Sequence, residues 1–120
     1  MDKQEIKKLQ IRNSTVDFLV FTKDSGESGI EVRVQGGTVW LTQKGISQLF
    51  DADRSVITKH LKNIYAAGEL DEKTTCAKFA QVADNGRTYQ YLFYSLPAII
   101  SVGYRVNSER AAQFRQWATK

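Results

Sequence analysis

The chain has 120 residues, 42% of them hydrophobic and 25% charged, which excludes two independent domains and a disordered chain and leaves one compact domain. Its lone cysteine, Cys76, excludes an intramolecular disulfide, a thiolate zinc site and an iron–sulfur cluster, and we expect neither a metal nor a cofactor. The net charge is +4, and residues 36–120 hold eleven basic and seven acidic side chains, which favours a polyanionic partner.

Residues 1–13 are predicted to form a polar arm that precedes a single domain over residues 14–120. The arm lacks the apolar segment of a signal peptide, and the chain contains no apolar run of 18 residues. A lone cysteine also suits a reducing compartment. We therefore expect a cytoplasmic protein.

The first half of the chain contains patterns that are typical of strands. Residues 15–23 are rich in β-branched and aromatic side chains, and residues 30–35 alternate with period two. Residues 24–29 form a polar turn cluster between them, so the sequence predicts a β-hairpin. Gly36 and Gly37 then turn the chain into a third short strand over residues 38–40.

At Leu41 the hydrophobic period changes from 2 to 3.6, which predicts two amphipathic helices capped by Thr42 and Asp53. The first helix gathers its apolar side chains, Ile46, Leu49 and Phe50, on one side. The apolar half of the second comprises Val56, Ile57, His60, Leu61 and Ile64. Its polar half comprises Arg54, Ser55, Thr58, Lys59, Lys62 and Asn63.

The second half of the chain predicts a hairpin and two further helices. Gly68 ends the preceding helix, and strands over residues 75–83 and 88–94 flank an Asn85-Gly86 pair that suits a type I′ turn. Pro97 begins an apolar helix after Ser95. The last helix is capped by Asn107 and Ser108, and it places Ala111, Phe114, Trp117 and Ala118 on one face.

The spacing over residues 42–64 is that of a helix-turn-helix, with Ile46, Leu49, Ala52, Val56 and Leu61 sealing the pair onto the domain. The side chains predicted to contact base edges are Arg54, Ser55 and Thr58. Those predicted to contact phosphates are Lys59, Lys62, Gln43 and Lys44. Neutralising about four to six phosphates would give a log–log salt slope of about −4 to −5.

A second interpretation of the same helix pair stays open. Amphipathic helices commonly have polar outer faces because those faces meet water. Asp51 and Asp53 weaken the DNA-binding pattern, since a glycine is common at the first of these positions and two acids would repel phosphate. They are explained by a turn and a helix cap rather than by a metal pair.

Several other side chains have two interpretations. Arg87 and Lys78 belong either to a DNA-contacting wing or to a plain sheet edge. Arg105 and Arg110 either bind a phosphate at a helix N-terminus or pair with one of three carboxylates, Glu109, Asp71 or Glu72. His60 is expected to be a packed histidine rather than a base or ligand, and Cys76 a small buried residue.

Several segments carry a resemblance to a known family: residues 39–44, residues 60–64, residues 68–70 and, above all, residues 100–119. The sequence Val-Gly-Tyr-Arg-Val-Asn-Ser over residues 102–108, followed by Phe-Arg-Gln-Trp over residues 114–117, is the most specific part. From about Val16 to its end, the chain resembles the N-terminal half of the virulence RhuM family of bacterial proteins. Its layout is also similar to the BRO-N domain of phage antirepressors.

The resemblance implies a DNA-binding protein linked to mobile elements or virulence, and a chain that is the N-terminal fragment of a longer protein. A similar architecture precedes Fic/Doc-type catalytic domains, but this sequence has no such motif and we expect no enzyme. We predict an α+β, winged-helix-like domain that binds double-stranded DNA as a regulator. A homodimer would place two reading helices about 34 Å apart.

Two alternatives to DNA binding stay open at this point. The first is a protein-interaction module that docks a partner or a C-terminal effector domain absent from this chain. The second is an RNA-binding adaptor, which the lack of an aromatic RNA-binding pattern disfavours. Neither a membrane segment nor a membrane partner is expected.

Overall fold

The computed structural model describes residues 15–24 and 30–119, and these form an α+β fold, as predicted. The helices are α1 (Thr15–Asp24), α2 (Gln43–Phe50), α3 (Arg54–Ala66), α4 (Glu72–Thr75), α5 (Leu96–Arg105) and α6 (Glu109–Ala118). The strands are β1 (Arg33–Gln35), β2 (Thr38–Leu41), β3 (Cys76–Val82) and β4 (Thr88–Ser95). The predicted arm over residues 1–13 and residues 25–29 of the predicted turn lie outside the described residues.

The four strands form one antiparallel sheet in the order β1-β2-β4-β3. A two-residue turn joins β1 to β2, and both of its residues, Gly36 and Gly37, have positive φ, which a side chain would oppose. This turn and the strand after it confirm the prediction for residues 36–40. Strand β2 pairs with β4 only at its end, where Leu41 lies opposite Tyr94. The start of α2 therefore lies beside the base of the β3–β4 hairpin.

The predicted strand over residues 15–23 is wrong, because residues 15–24 form helix α1. Phe18 and Phe21 are three residues apart and share one face of that helix. Phe18 is fully buried, and the Phe21 ring packs on Phe114 and Trp117 with centroid distances of 5.7 and 4.8 Å. Tertiary packing against α6 therefore overrides the strand propensity of the β-branched residues. As a consequence, the predicted hairpin with residues 30–35 does not form, and only Arg33–Gln35 of that run is a strand.

The second hairpin is confirmed, but its predicted type I′ turn is wrong. Of the turn residues, Gly86 alone has positive φ. Its N–H donates to the Ala83 carbonyl at 2.9 Å, and the Ala83 N–H donates to the Arg87 carbonyl at 2.8 Å. This is a four-residue turn followed by a glycine bulge. Asn85 instead accepts a hydrogen bond from the Arg87 N–H through Oδ1 at 2.9 Å, which stabilises the ordinary negative φ at this position.

Helix α5 lies in the middle of the core, as its apolar sequence predicts. Ser95 is its N-cap residue, although the Ser95 side chain makes no capping hydrogen bond, and Pro97 lies in the first turn. The buried residues of α5 are Leu96, Ala98, Ile99, Ile100, Val102 and Gly103. Gly103 allows the Phe114 ring to approach the backbone closely, since an added Cβ would lie 2.5 Å from the Phe114 Cδ2 atom.

Helix α6 is joined to the rest of the core at its N-terminus. The Ser108 hydroxyl oxygen accepts a hydrogen bond from the Ala111 N–H at 3.0 Å and donates to the Phe50 carbonyl at 2.6 Å. This confirms the predicted cap, and it also satisfies a carbonyl at the end of α2. The face predicted for α6 is confirmed as well, with Ala111, Phe114 and Ala118 buried and Trp117 partly buried.

Candidate nucleic-acid interface

Helices α2 and α3 are separated by three residues, 51 to 53, and both of the predicted caps are confirmed. Thr42 Oγ1 accepts from the Gly45 N–H at 3.1 Å, and Asp53 Oδ1 accepts from the Ser55 N–H at 2.9 Å. Asp51 has a φ of 49°, a left-handed conformation in which glycine is usually preferred. Aspartate tolerates this region better than most side chains, so the turn forms without a glycine.

The helix pair packs on the core through Ile46, Leu49, Ile57, Leu61 and Ile64, all of which are buried. Ala52 is partly buried against the same cluster. The prediction that Val56 seals the pair onto the domain is wrong, because its side chain is 37% exposed. Val56 lies one position before Ile57 in the helix, about 100° away around the axis, and this rotation carries it out of the contact.

The exposed side of α3 carries positive charge and no negative charge. We define the basic face as Lys44 of α2 and Arg54, Lys59 and Lys62 of α3, which are all exposed and make no ion pair within the described residues. Neither helix contains an aspartate or a glutamate. Lys59 and Lys62, together with Ser55, recur every three or four residues and form one stripe along α3.

Two residues of the predicted contact set are hydrogen-bonded to each other rather than directed to solvent. Thr58 Oγ1 donates to Gln43 Oε1 at 2.6 Å, and the same hydroxyl lies 3.0 Å from the Arg54 carbonyl. Gln43 Nε2 donates to the Tyr94 hydroxyl at 3.1 Å. Thr58 and Gln43 are therefore each half-buried between α3, α2 and β4. The sequence gives no sign of this link, because Tyr94 is 51 residues from Gln43.

Asp53, the cap of α3, places a negative charge directly before the basic face. Hydrogen bonds from the Ser55 N–H and the Ser55 hydroxyl hold the pKa of the Asp53 carboxyl below its ordinary value. Asp53 is therefore ionised at neutral pH, where it also faces the positive end of the helix dipole. Because the Ser55 hydroxyl donates its hydrogen to Asp53, the Ser55 oxygen can only accept a hydrogen bond from a ligand.

A cleft of about 300 Å³ separates the helix pair from the β3–β4 hairpin. Lys44 and Arg54 line the helix side of this cleft, and Asp84 and Tyr91 line the hairpin side. Arg87, at the hairpin tip, and Lys78, further down β3, are both exposed. The hairpin thus carries two exposed cations, Arg87 and Lys78, and one acidic residue that lines the cleft, Asp84.

Arg105 forms an ion pair, but its partner was not among the three predicted carboxylates. The guanidinium contacts Glu69 Oε1. Gly68 at φ 72° ends α3, as predicted, and the Glu69 N–H donates to the Ile64 carbonyl at 3.1 Å. This arrangement is a Schellman motif, and it turns the chain so that the Glu69 carboxylate meets the end of α5. The ion pair links the turn after α3 to the end of α5.

His60 faces away from the stripe, on the flank of α3 nearest Arg105. Its partial burial lowers the pKa of the imidazole, and the nearby cations Arg105 and Lys59 lower that pKa further. The side chain is neutral at neutral pH and adds no charge to the basic face. The prediction that His60 is packed agrees with its half-buried position.

We expect folding stability to fall on acidification because of His60. Since its pKa is lower in the folded state, the unfolded chain takes up the proton first, and stability is lost as pH falls below about 6.5. Melting temperatures measured at about pH 7.5 and about pH 5.5 test this. The His60→Gln variant should lose less stability between the two values than the original protein, and an equal loss in both would contradict the assignment.

Cys76 is half-buried at the start of β3, and burial raises the pKa of its thiol, so the thiol stays protonated at neutral pH. No group of three metal-ligating side chains occurs within residues 15–24 and 30–119. In the same part of the chain, none of the helices has both the length and the apolar character needed to cross a membrane.

Comparison with known proteins gives a match to a segment at the C-terminal side of the chain. No curated protein and no solved structure matches it. The matched segment begins inside α4 and includes the β3–β4 hairpin, α5 and α6, whereas the helix pair α2–α3 precedes it. Residues 74–120 match the model of the Virulence protein RhuM family, which confirms the family resemblance expected from the sequence.

Proposed function

We propose that this protein binds double-stranded DNA through a helix-turn-helix formed by α2 and α3, as a regulator linked to mobile elements or virulence. The observation that carries the proposal is the basic face: four exposed cations on two adjoining helices that contain no acidic residue. A solvated face with no ligand usually mixes both signs of charge. A face of one sign attracts a polyanion.

The geometry of α3 supports a duplex as the partner. An α-helix fits the major groove of B-form DNA, and the N-terminal turns of a reading helix contact base edges. Arg54 lies in the first turn of α3, and its guanidinium forms no ion pair with the described residues, so it can bind a guanine edge with two hydrogen bonds. Lys59, Lys62 and Lys44 would contact phosphates on either side.

The β3–β4 hairpin supports the winged-helix interpretation. It pairs with β2 beside the start of α2 and carries Arg87 at its tip and Lys78 on β3. In this proposal the hairpin is the wing, and its two cations contact the DNA backbone next to the groove that α3 enters.

A titration followed by fluorescence anisotropy tests the proposal. The protein is added to labelled random duplex DNA, single-stranded DNA and structured RNA, each at two salt concentrations. We expect the duplex to bind most tightly, and the five proposed phosphate contacts give a log–log salt slope of about −4 to −5. Equal binding of all three nucleic acids, or a slope near zero for the duplex, would contradict the proposal.

A protein-interaction module is the second candidate, and one observation favours it. Val82 and Leu92 are 64% and 45% exposed, and both lie on the same face of the β3–β4 hairpin. Exposed apolar side chains on a hairpin suit a protein partner or a C-terminal effector domain. Lys78 lies opposite Leu92 on this same face, so if the face serves a protein partner, Lys78→Ala would leave duplex affinity unchanged.

A further inference from the structure

A chain of hydrogen bonds between side chains joins α2, α3 and β4. Thr58 lies in the second turn of α3 and donates to Gln43, the first residue of α2, which in turn donates to Tyr94 of β4. We propose that these three residues are positioning residues that determine DNA sequence specificity by fixing the angle of α3, without contacting a base. This inference rests on the proposed function.

Tyr94 provides the fixed end of this chain. Its side chain is buried, and its backbone pairs with Leu41 on one side and Cys76 on the other. Burial raises the pKa of the Tyr94 hydroxyl, so it stays neutral and accepts the hydrogen bond from Gln43 Nε2 at any physiological pH. The orientation of Gln43 is thus set by the sheet, and Gln43 in turn holds Thr58.

The position of these three hydrogen-bonded side chains explains why DNA sequence specificity would depend on them. A base-edge hydrogen bond requires donor and acceptor to meet within a few tenths of an ångström, whereas a flexible lysine reaches a phosphate from many helix angles. A small rotation of α3 would therefore weaken the hydrogen bonds of Arg54 to a guanine edge more than the contact of Lys59 with a phosphate. Since Tyr94 also belongs to β4, these hydrogen bonds join α3 to the base of the hairpin as well.

A nearby tyrosine, Tyr65, provides a matched control. The Tyr65 hydroxyl lies 2.9 Å from Thr75 Oγ1 and joins α3 to α4, so Tyr65→Phe removes the same atom as Tyr94→Phe. The Tyr65 bond does not involve Gln43. A conservative variant is available too, since Thr58→Ser keeps the hydroxyl that Thr58→Val removes.

The experiment first selects a preferred duplex from a random pool with the original protein and then measures the affinity of each variant for that duplex and for a random one. One lost hydrogen bond corresponds to roughly a three- to tenfold weaker affinity for the selected duplex, and we expect this for Tyr94→Phe and for Thr58→Val. Affinity for the random duplex should change less than about twofold. The double variant should be no weaker than the weaker single variant, because both substitutions break the same chain.

The controls decide between positioning and a general loss of stability. Thr58→Ser and Tyr65→Phe should both keep the selected-duplex affinity, and melting temperatures check that each variant is folded. The inference is overturned if Tyr94→Phe and Thr58→Val behave like Tyr65→Phe, or if the affinities for the selected and random duplexes fall equally. A protein that binds no duplex at all would refute the proposed function itself, and this inference with it.

Discussion

Gly103→Ala is expected to lower the free energy of unfolding by about 2 kcal/mol. A Cβ at this position would lie 2.5 and 2.6 Å from the Phe114 ring and 2.9 Å from the Phe50 ring. Both rings are fully buried and pack against each other, so neither can move without disturbing the core. Contacts this short lie at the upper end of the overpacking range, about 3 kcal/mol, and the gain of about 1 kcal/mol from replacing a helical glycine by alanine leaves a net loss of about 2 kcal/mol.

Thermal or urea unfolding measures this change, and Gly45→Ala is its matched control. Gly45 is also buried and helical, but a Cβ there would lie 3.5 Å from its nearest neighbours, an ordinary contact. Gly45→Ala should therefore leave stability unchanged or raise it by up to about 1 kcal/mol. If the two variants change stability by similar amounts, the close approach of α6 to α5 is not as described.

The double variant Arg54→Ala/Lys59→Ala should lose about 2–3.5 kcal/mol of duplex binding, or roughly 30- to 300-fold in affinity. The variant removes two of the four cations of the basic face, including the one best placed to reach a base edge. The salt slope should become shallower by about 1, because Lys59 is the phosphate contact that the variant removes. Anisotropy titrations at several salt concentrations measure both quantities.

Lys73→Ala is the control for this variant. Lys73 is an exposed cation on α4, outside the basic face, and its replacement should change duplex affinity by less than about twofold. Stability should be unaffected in both variants, since Arg54, Lys59 and Lys73 are exposed. An unchanged duplex affinity in the double variant would mean that α3 is not the reading helix.

Local sequence patterns predicted the helix pair well and α1 wrongly, for a physical reason. In α2 and α3 the caps Thr42 and Asp53 lie next to apolar residues at helical spacing, so propensity, capping and periodicity agree. In α1 the residues favour a strand, and the helix depends on aromatic contacts with Phe114, almost a hundred residues away. The three-residue spacing of Phe18 and Phe21 was the one local sign of that helix.

The candidate site was predictable in composition and less so in detail. Charge and periodicity on α3 identified Arg54, Lys59 and Lys62 as exposed cations, and the structure places them there. Polarity alone could not separate a free side chain from one that is already hydrogen-bonded, and Thr58 and Gln43 are bonded to each other. Likewise, the partner of Arg105 depends on the turn after Gly68, which no local pattern specifies.

The most direct test of the central claim follows the backbone amide resonances of the isotope-labelled protein while a duplex is added. If α3 enters the groove, the largest shifts fall on residues 54–63 and on Lys44, smaller ones appear near Arg87, and α1 and α6 stay unchanged. Shifts confined to α1, to the apolar face of the hairpin around Leu92, or to no residue at saturating duplex would contradict DNA binding by the basic face.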